Sequence, residues 1–151
     1  MIVRTIVLYG NGKNVKQNFA LWVIENLKTQ KPIRVATDQV SNPTYVDDLA
    51  FCILRIVEEE SEGIYHLSGS ERLSRYEFAQ RVGKVFSFDA GLIEPVKSED
   101  LHQSARRPLN TGFITLKVET ELGIKPSDAT QGLTLLKREL QGTKVGFASL
   151  N

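Results

Sequence analysis

Two stretches of this sequence have the residue types and spacing for molecular recognition. Arg106-Arg107-Pro108 sets two guanidiniums side by side ahead of a proline. A planar guanidinium fork suits bidentate pairing with a diphosphate, a geometry that a lysine ammonium does not reproduce, although exposed arginines are common. Upstream, Asp38-Gln39 through Pro43-Thr44 combines a carboxylate, amides and a hydroxyl. Donors and acceptors together are what a hydroxyl-rich sugar requires, although the same stretch also reads as a loop followed by a helix cap. A third segment, Gly10-Asn11-Gly12-Lys13, only imitates a phosphate cradle. A dinucleotide fingerprint needs a further glycine where Val15 stands, and a P-loop needs a hydroxyl where Asn14 stands. A strand-to-helix turn is the better reading. His66, His102 and the single Cys52 are too scattered for metal-ligand spacing, so no metal site is expected. His66, between Tyr65 and Leu67, reads as a core or half-buried strand residue, and Cys52 as a small core residue.

The elements that must carry these residues follow from hydrophobic period. Ile2 to Tyr9 is β-branched and aromatic, apolar on both faces, and is predicted as a strand inside a parallel sheet. Asn18 to about Gln30 has a helical stripe of Ala20, Val23, Ile24 and Leu27. Pro32 closes it, and Ile33 to Ala36 reads as a short strand. Thr44 and Asp47 suggest a capping box for a helix with Leu49, Cys52, Ile53, Ile56 and Val57 on its buried side. The acidic run from Glu58 to Glu62 reads as its solvated end. Ile64 to Leu67 is a further strand, and Ser74 with Glu77 forms a second capping box. That helix carries Phe78, Ala79, Val82, Val85 and Phe86. Leu92 to Val96 reads as a short strand and Leu116 to Leu122 as a helix ended by Gly123. Ile124 is placed to touch Val118 across that helix end. Ser127 or Asp128 caps a last helix with the stripe Leu133, Leu136 and Leu140, and residues 142–151 show no periodicity and are expected to be a mobile tail. Strands alternating with helices make the chain α/β.

Several segments occur together in a telling order. They are Val3-Arg4-Thr5 through Tyr9-Gly10, Asp38 through Ala50, Gly63-Ile64-Tyr65-His66-Leu67-Ser68-Gly69, and Arg106 through Thr111. Together they resemble the C-terminal portion of the dTDP-4-dehydrorhamnose reductase family, a branch of the extended short-chain dehydrogenases. The resemblance implies a Rossmann-like fold of which this chain holds the last sheet strands plus a small substrate-binding lobe. It implies an NAD(P)-dependent family that delivers hydride to a keto group on a deoxysugar attached to dTDP, within residues 1–141. It raises Gln39 and Arg107 as contacts to the sugar nucleotide. Asn18, in an Asn-Phe pair like the family's, could face the nucleotide or cap its helix.

The same resemblance says what to look for and not find. The superfamily uses a tyrosine with a lysine four residues later on one helical face. Here only Tyr9 and Lys13 have that spacing, and glycines between them make a turn, so no catalytic residue is assigned. The cofactor-binding glycines have no counterpart either. The sequence therefore predicts no catalysis and no NAD(P) binding by this chain alone, with Met1 as a native, engineered or proteolytic start. A non-catalytic regulatory or protein-interaction module is the alternative, since the partner of methionine adenosyltransferase looks like such a relative.

Composition bounds the rest. With 151 residues, 41% of them hydrophobic, the chain suffices for a real core. A formal net charge of +1 suggests neither nucleic acid nor an anionic membrane as partner. One cysteine fits a reducing cytoplasm, and no apolar run is long enough to span a bilayer. The expected partners are a nucleotide-sugar substrate and, for the open edge of the first strand, either a second copy of the chain or a missing N-terminal half.

Overall fold

The computed structural model describes residues 1–12, 17–105 and 107–142. The expectation of a mobile tail falls almost wholly on residues 143–151, outside the described residues.

Among the described residues the chain builds four two-stranded ladders and packs helices against them. Strand β1 (Ile2–Thr5) runs parallel to β6 (Ile64–Leu67), with Ile2 opposite Ile64 and Thr5 opposite Leu67. Strand β2 (Leu8–Tyr9) pairs in parallel with β5 (Thr44–Tyr45), and β3 (Ile33–Ala36) with β8 (Ile93–Val96). The remaining ladder, β4 (Val40–Ser41) with β7 (Leu73–Ser74), is antiparallel. The helices are α1 (Phe19–Lys28), α2 (Val46–Glu58), α3 (Arg75–Phe86), α4 (Leu116–Leu122) and α5 (Ala129–Leu140).

Two apolar cores result. The larger joins α1, α3 and α5 to β3 and β8 through Val23, Leu27, Val35, Phe78, Val82 and Leu133. The smaller joins α2 and α4 to β6 through Cys52, Ile56, Tyr65, Leu67, Val118 and Leu122. The predicted single strand from Ile2 to Tyr9 is in fact broken between them. β1 belongs to the smaller core's ladder and β2 carries Tyr9 into the larger one. Between them Val7 takes φ +45°, a left-handed backbone that a β-branched residue seldom adopts. The break also leaves the carbonyls of Ile6 and Val7 to accept from the Thr44 hydroxyl (2.7 Å) and the Thr44 amide (2.9 Å).

That pairing explains a second departure from the sequence reading. Thr44 does not cap α2. Its backbone is extended in β5, its hydroxyl serves Ile6 and also accepts from the Gly69 amide at 3.2 Å, and Tyr45 stands at the cap without a side-chain bond. Two stripe residues also lie outside the cores: Val57 is 58% exposed and Leu140 41%, each in the last turn of its helix. The other predicted caps hold. Ser74 and Glu77 close a capping box at α3, and Asp128, with Gln131, caps α5. Ser127 instead donates its amide to the buried carboxylate of Asp48 at 2.8 Å. Burial raises the pKa of that carboxyl, whose Oδ1 has no partner among the described residues. Gly123 ends α4 at φ +65°, and Ile124 packs on the cluster containing Val118.

His66 is half-buried and stacks on Phe113 with ring centres 4.6 Å apart. Cys52 is buried, and burial, with the nearby Asp48, pushes its thiol up to about 12. On β1 and β6 the residues Ile2 and Ile64 are 55% and 45% exposed, so this ladder is not covered on both faces as a central parallel pair would be. Among the described residues β1 pairs with β6 alone, which leaves its other edge open.

Candidate functional site

The loop after β3 is where the sequence-predicted contacts assemble. Asp38 is spent on structure. Its carboxylate accepts from the Ser98 hydroxyl at 2.6 Å and the Ser98 amide at 3.1 Å, and these bonds, the hydroxyl's first, hold its pKa below the ordinary value. They fasten the 3-10 turn Ser98–Leu101 to the loop. Gln39 is only 6% exposed, an uncommon place for an amide unless it is satisfied. Its Nε2 donates to Ser98 Oγ at 3.0 Å and Gln103 Oε1 at 3.3 Å. Its Oε1 accepts no hydrogen bond from the described residues, and Gln39 lines the cleft described next.

Arg107 reaches the same place through the backbone. The Val40 amide donates to the Leu109 carbonyl at 2.7 Å, and the Thr111 amide donates to the Val40 carbonyl at 2.9 Å. The segment after Arg107 is thereby laid along β4, one residue from Gln39. Arg106, its neighbour in the motif, lies outside the described residues.

Three adjoining cavities form one cleft. The first, about 550 Å³, is lined by Gln39, Lys97, Ser98, His102, Gln103 and Arg107 among others. The second, about 140 Å³, shares Gln39 and Arg107 with it and adds Ser41, Arg75 and Phe78. The third, about 340 Å³, shares Phe19 and Arg75 with the second and contains Asn18 and Trp22. The structure thus brings Gln39 and Arg107 together and sets Asn18 in the neighbouring chamber. Asn18 is also the α1 cap, accepting from the Leu21 amide at 3.1 Å and donating to the Gly10 carbonyl at 2.7 Å.

Sequence reasoning missed Arg75. The β4–β7 pairing brings it against the site, and its amide donates to the Gln39 carbonyl at 2.9 Å. Its guanidinium sits 4.9 Å from the Phe19 ring centre. Burial lowers its pKa, and the charge of Arg107 lowers it further. A signal was present: the Ser74–Glu77 capping box makes Arg75 the first residue of a helix, where the dipole disfavours a cation. Trp22 stacks on Phe19 at 5.7 Å and lines the third cavity. Tyr9 is far from exposed chemistry. It is buried against Phe78 and Tyr45, with its hydroxyl pKa raised first by burial and then by Asp48. Its sequence partner Lys13 lies outside the described residues.

A cleft lined by Arg34, Arg75 and Arg107, by amides and by an aromatic pair, with Asp38 and Glu99 also on its wall, can bind an anion carrying a polar and a planar group. Residues 1–141 match the model of the RmlD substrate binding domain. The chain belongs to that family.

Its similarities run the same way. It is 31% identical to the spore coat polysaccharide biosynthesis protein SpsK of Bacillus subtilis, covering 83% of this chain and 42% of that protein. It is 28% identical to a dTDP-4-dehydrorhamnose reductase of Aggregatibacter actinomycetemcomitans, over 88% of this chain and 48% of the reductase. The crystal structure of the dTDP-4-dehydrorhamnose reductase of Bacillus anthracis, in complex with NADP, superposes with a TM-score of 0.81 at 28% identity. That match covers 91% of this chain and 48% of the reductase, so the α/β arrangement here is part of a Rossmann-like reductase fold. The chain spans about half the length of the curated relatives it matches. No helix among the described residues is long and apolar enough to cross a membrane.

Proposed function

We propose that this chain is the substrate-binding portion of an NAD(P)-dependent, dTDP-4-dehydrorhamnose reductase-like protein, working in the cytoplasm on a nucleotide-linked deoxysugar. The juxtaposition of Gln39 and Arg107 in one cleft carries the reading. Arg107 offers a fork to the diphosphate, and Gln39 offers a carbonyl oxygen, unengaged among the described residues, to a hydroxyl or ring N–H. Asn18, at the edge of the third chamber, stands nearest the aromatic pair. These groups bind and orient, which supplies proximity and not proton transfer.

Hydride transfer needs a dinucleotide site and a proton donor, and the sequence contains neither the glycine fingerprint nor a helical Tyr-x-x-x-Lys pair. Calorimetric titration of the chain with dTDP-glucose is expected to give micromolar binding, and incubation of the chain with NADPH and a dTDP-4-keto sugar is expected to give no turnover. Absence of heat would favour a protein-interaction role, and turnover would overturn the proposed division of labour.

The open edge of β1, with Ile2 and Ile64 exposed beside it, calls for a further strand. In this reading the N-terminal half of a complete reductase supplies it, and in that half's absence a second copy does. Light scattering of the chain by itself is expected to show a dimer; a monodisperse monomer would remove this assignment.

A further inference from the structure

The geometry points to Arg75 as the second cation of a diphosphate subsite: Arg75 and Arg107 share one diphosphate in the small cavity where the three chambers meet. The inference rests on the nucleotide-sugar reading above and assigns a residue that neither the motif order nor the family resemblance singled out.

Several observations converge on it. Both arginines line the 140 Å³ cavity, and none of its lining residues is a carboxylate. Among the described residues the ion pairs of this protein involve Arg34, Arg55, Arg81 and Lys117, so neither Arg75 nor Arg107 has a paired acid. Two like charges brought together in a partly desolvated recess repel, and only an anion between them turns that repulsion into attraction. Arg75 also begins α3, where the helix dipole opposes its charge but would favour a bound phosphate.

Arg75 is also preorganised. Stacking on Phe19 holds the Arg75 guanidinium, and the hydrogen bond from its backbone amide to the Gln39 carbonyl holds its main chain, which reduces the entropy lost on binding.

The position of the subsite orders the ligand. A diphosphate at the junction directs one end toward the Phe19–Trp22 stack and the other toward the polar chamber of Gln103, His102 and Lys97. Planar and hydroxylated ends of one molecule are thereby separated by the charged bridge.

The test is calorimetry of the chain and its variants with dTDP-glucose and with inorganic pyrophosphate. Loss of one charge-assisted contact predicts that Arg75→Gln weakens dTDP-glucose by about 30-fold and abolishes measurable pyrophosphate binding. It should also flatten the dependence of log Kd on log salt, a change that a purely structural role for Arg75 would not produce. Arg75→Lys keeps the charge and stem but loses the fork, and about a fivefold loss with the salt slope retained is expected. Should Arg75→Gln fail to fold, the lysine variant carries the test. If wild type binds and Arg107→Gln weakens binding while the Arg75 variants stay within twofold, the subsite inference is wrong and the nucleotide-sugar reading stands. If wild type binds neither probe, the reading itself falls.

Discussion

Replacing Gly69 with alanine is expected to destabilise the chain by about 3 kcal/mol, at the upper end of overpacking substitutions, and to lower its melting temperature by roughly 10 °C. The reason is backbone crowding. A Cβ at Gly69 would overlap the carbonyl oxygen of Pro43 and lie 3.1 Å from its carbonyl carbon and 3.4 Å from the Ser127 carbonyl oxygen. None of these atoms can rotate away as a side chain could. Gly69 also anchors its neighbours. Its carbonyl accepts from Asn42 Nδ2 at 2.9 Å, and its amide donates to Thr44 Oγ1 at 3.2 Å. Asn42 in turn accepts from the Phe113 amide at 3.2 Å. A displaced Pro43 would therefore pull on the loop that begins at Gln39 and on the segment that follows Arg107. Thermal melting of Gly69→Ala checks this, and a midpoint within 2 °C of wild type would mean that the loop yields far more easily than its bonding suggests.

Removing the charge at Arg107 should do the opposite: leave the fold alone and disable the ligand. Arg107 is exposed and makes no ion pair among the described residues. Arg107→Gln thus removes little packing, and its melting curve should overlay that of wild type. A charge-assisted, bidentate contact contributes about 2 kcal/mol beyond a neutral one, so affinity for dTDP-glucose should fall by roughly 30-fold. The ratio of the two variants' effects is informative. Gly69→Ala moves stability first and binding as a consequence, whereas Arg107→Gln moves binding only. Equal affinity for wild type and Arg107→Gln would detach the arginine from the ligand and with it the strongest link between the cleft and sugar-nucleotide chemistry.

Most of the elements were legible because their signals are local. The Ser74–Glu77 box and Gly123 mark helix ends by side-chain and backbone rules that need no distant partner. The period of Cys52 and Ile56, or of Leu133 and Leu136, identifies a helix and its buried face. Errors came where a long-range demand overrode a local one. Thr44 has a good capping residue's chemistry, but pairing with Leu8 and the acceptors at Ile6 claimed its backbone and hydroxyl first. Ile2 to Tyr9 has an unbroken strand composition, yet it serves two different cores and must turn at Val7 to reach both.

The candidate site divides along the same line. Arg107 and Gln39 were visible as residue types suited to diphosphate and sugar, standing in segments whose order resembles one reductase family. Their meeting was not visible, because it depends on the Val40–Leu109 and Thr111–Val40 bonds between segments some 70 positions apart. Arg75 was hidden for the same reason. Alone it is one of many arginines, and only the antiparallel pairing of Val40–Ser41 with Leu73–Ser74 sets it beside Gln39. Composition, periodicity and motif order determined what kind of chain this is and which side chains can recognise an anion. Which of them share one cleft was decided by tertiary contacts, since hydrogen bonds and charge repulsion act through space between residues that the chain itself keeps far apart.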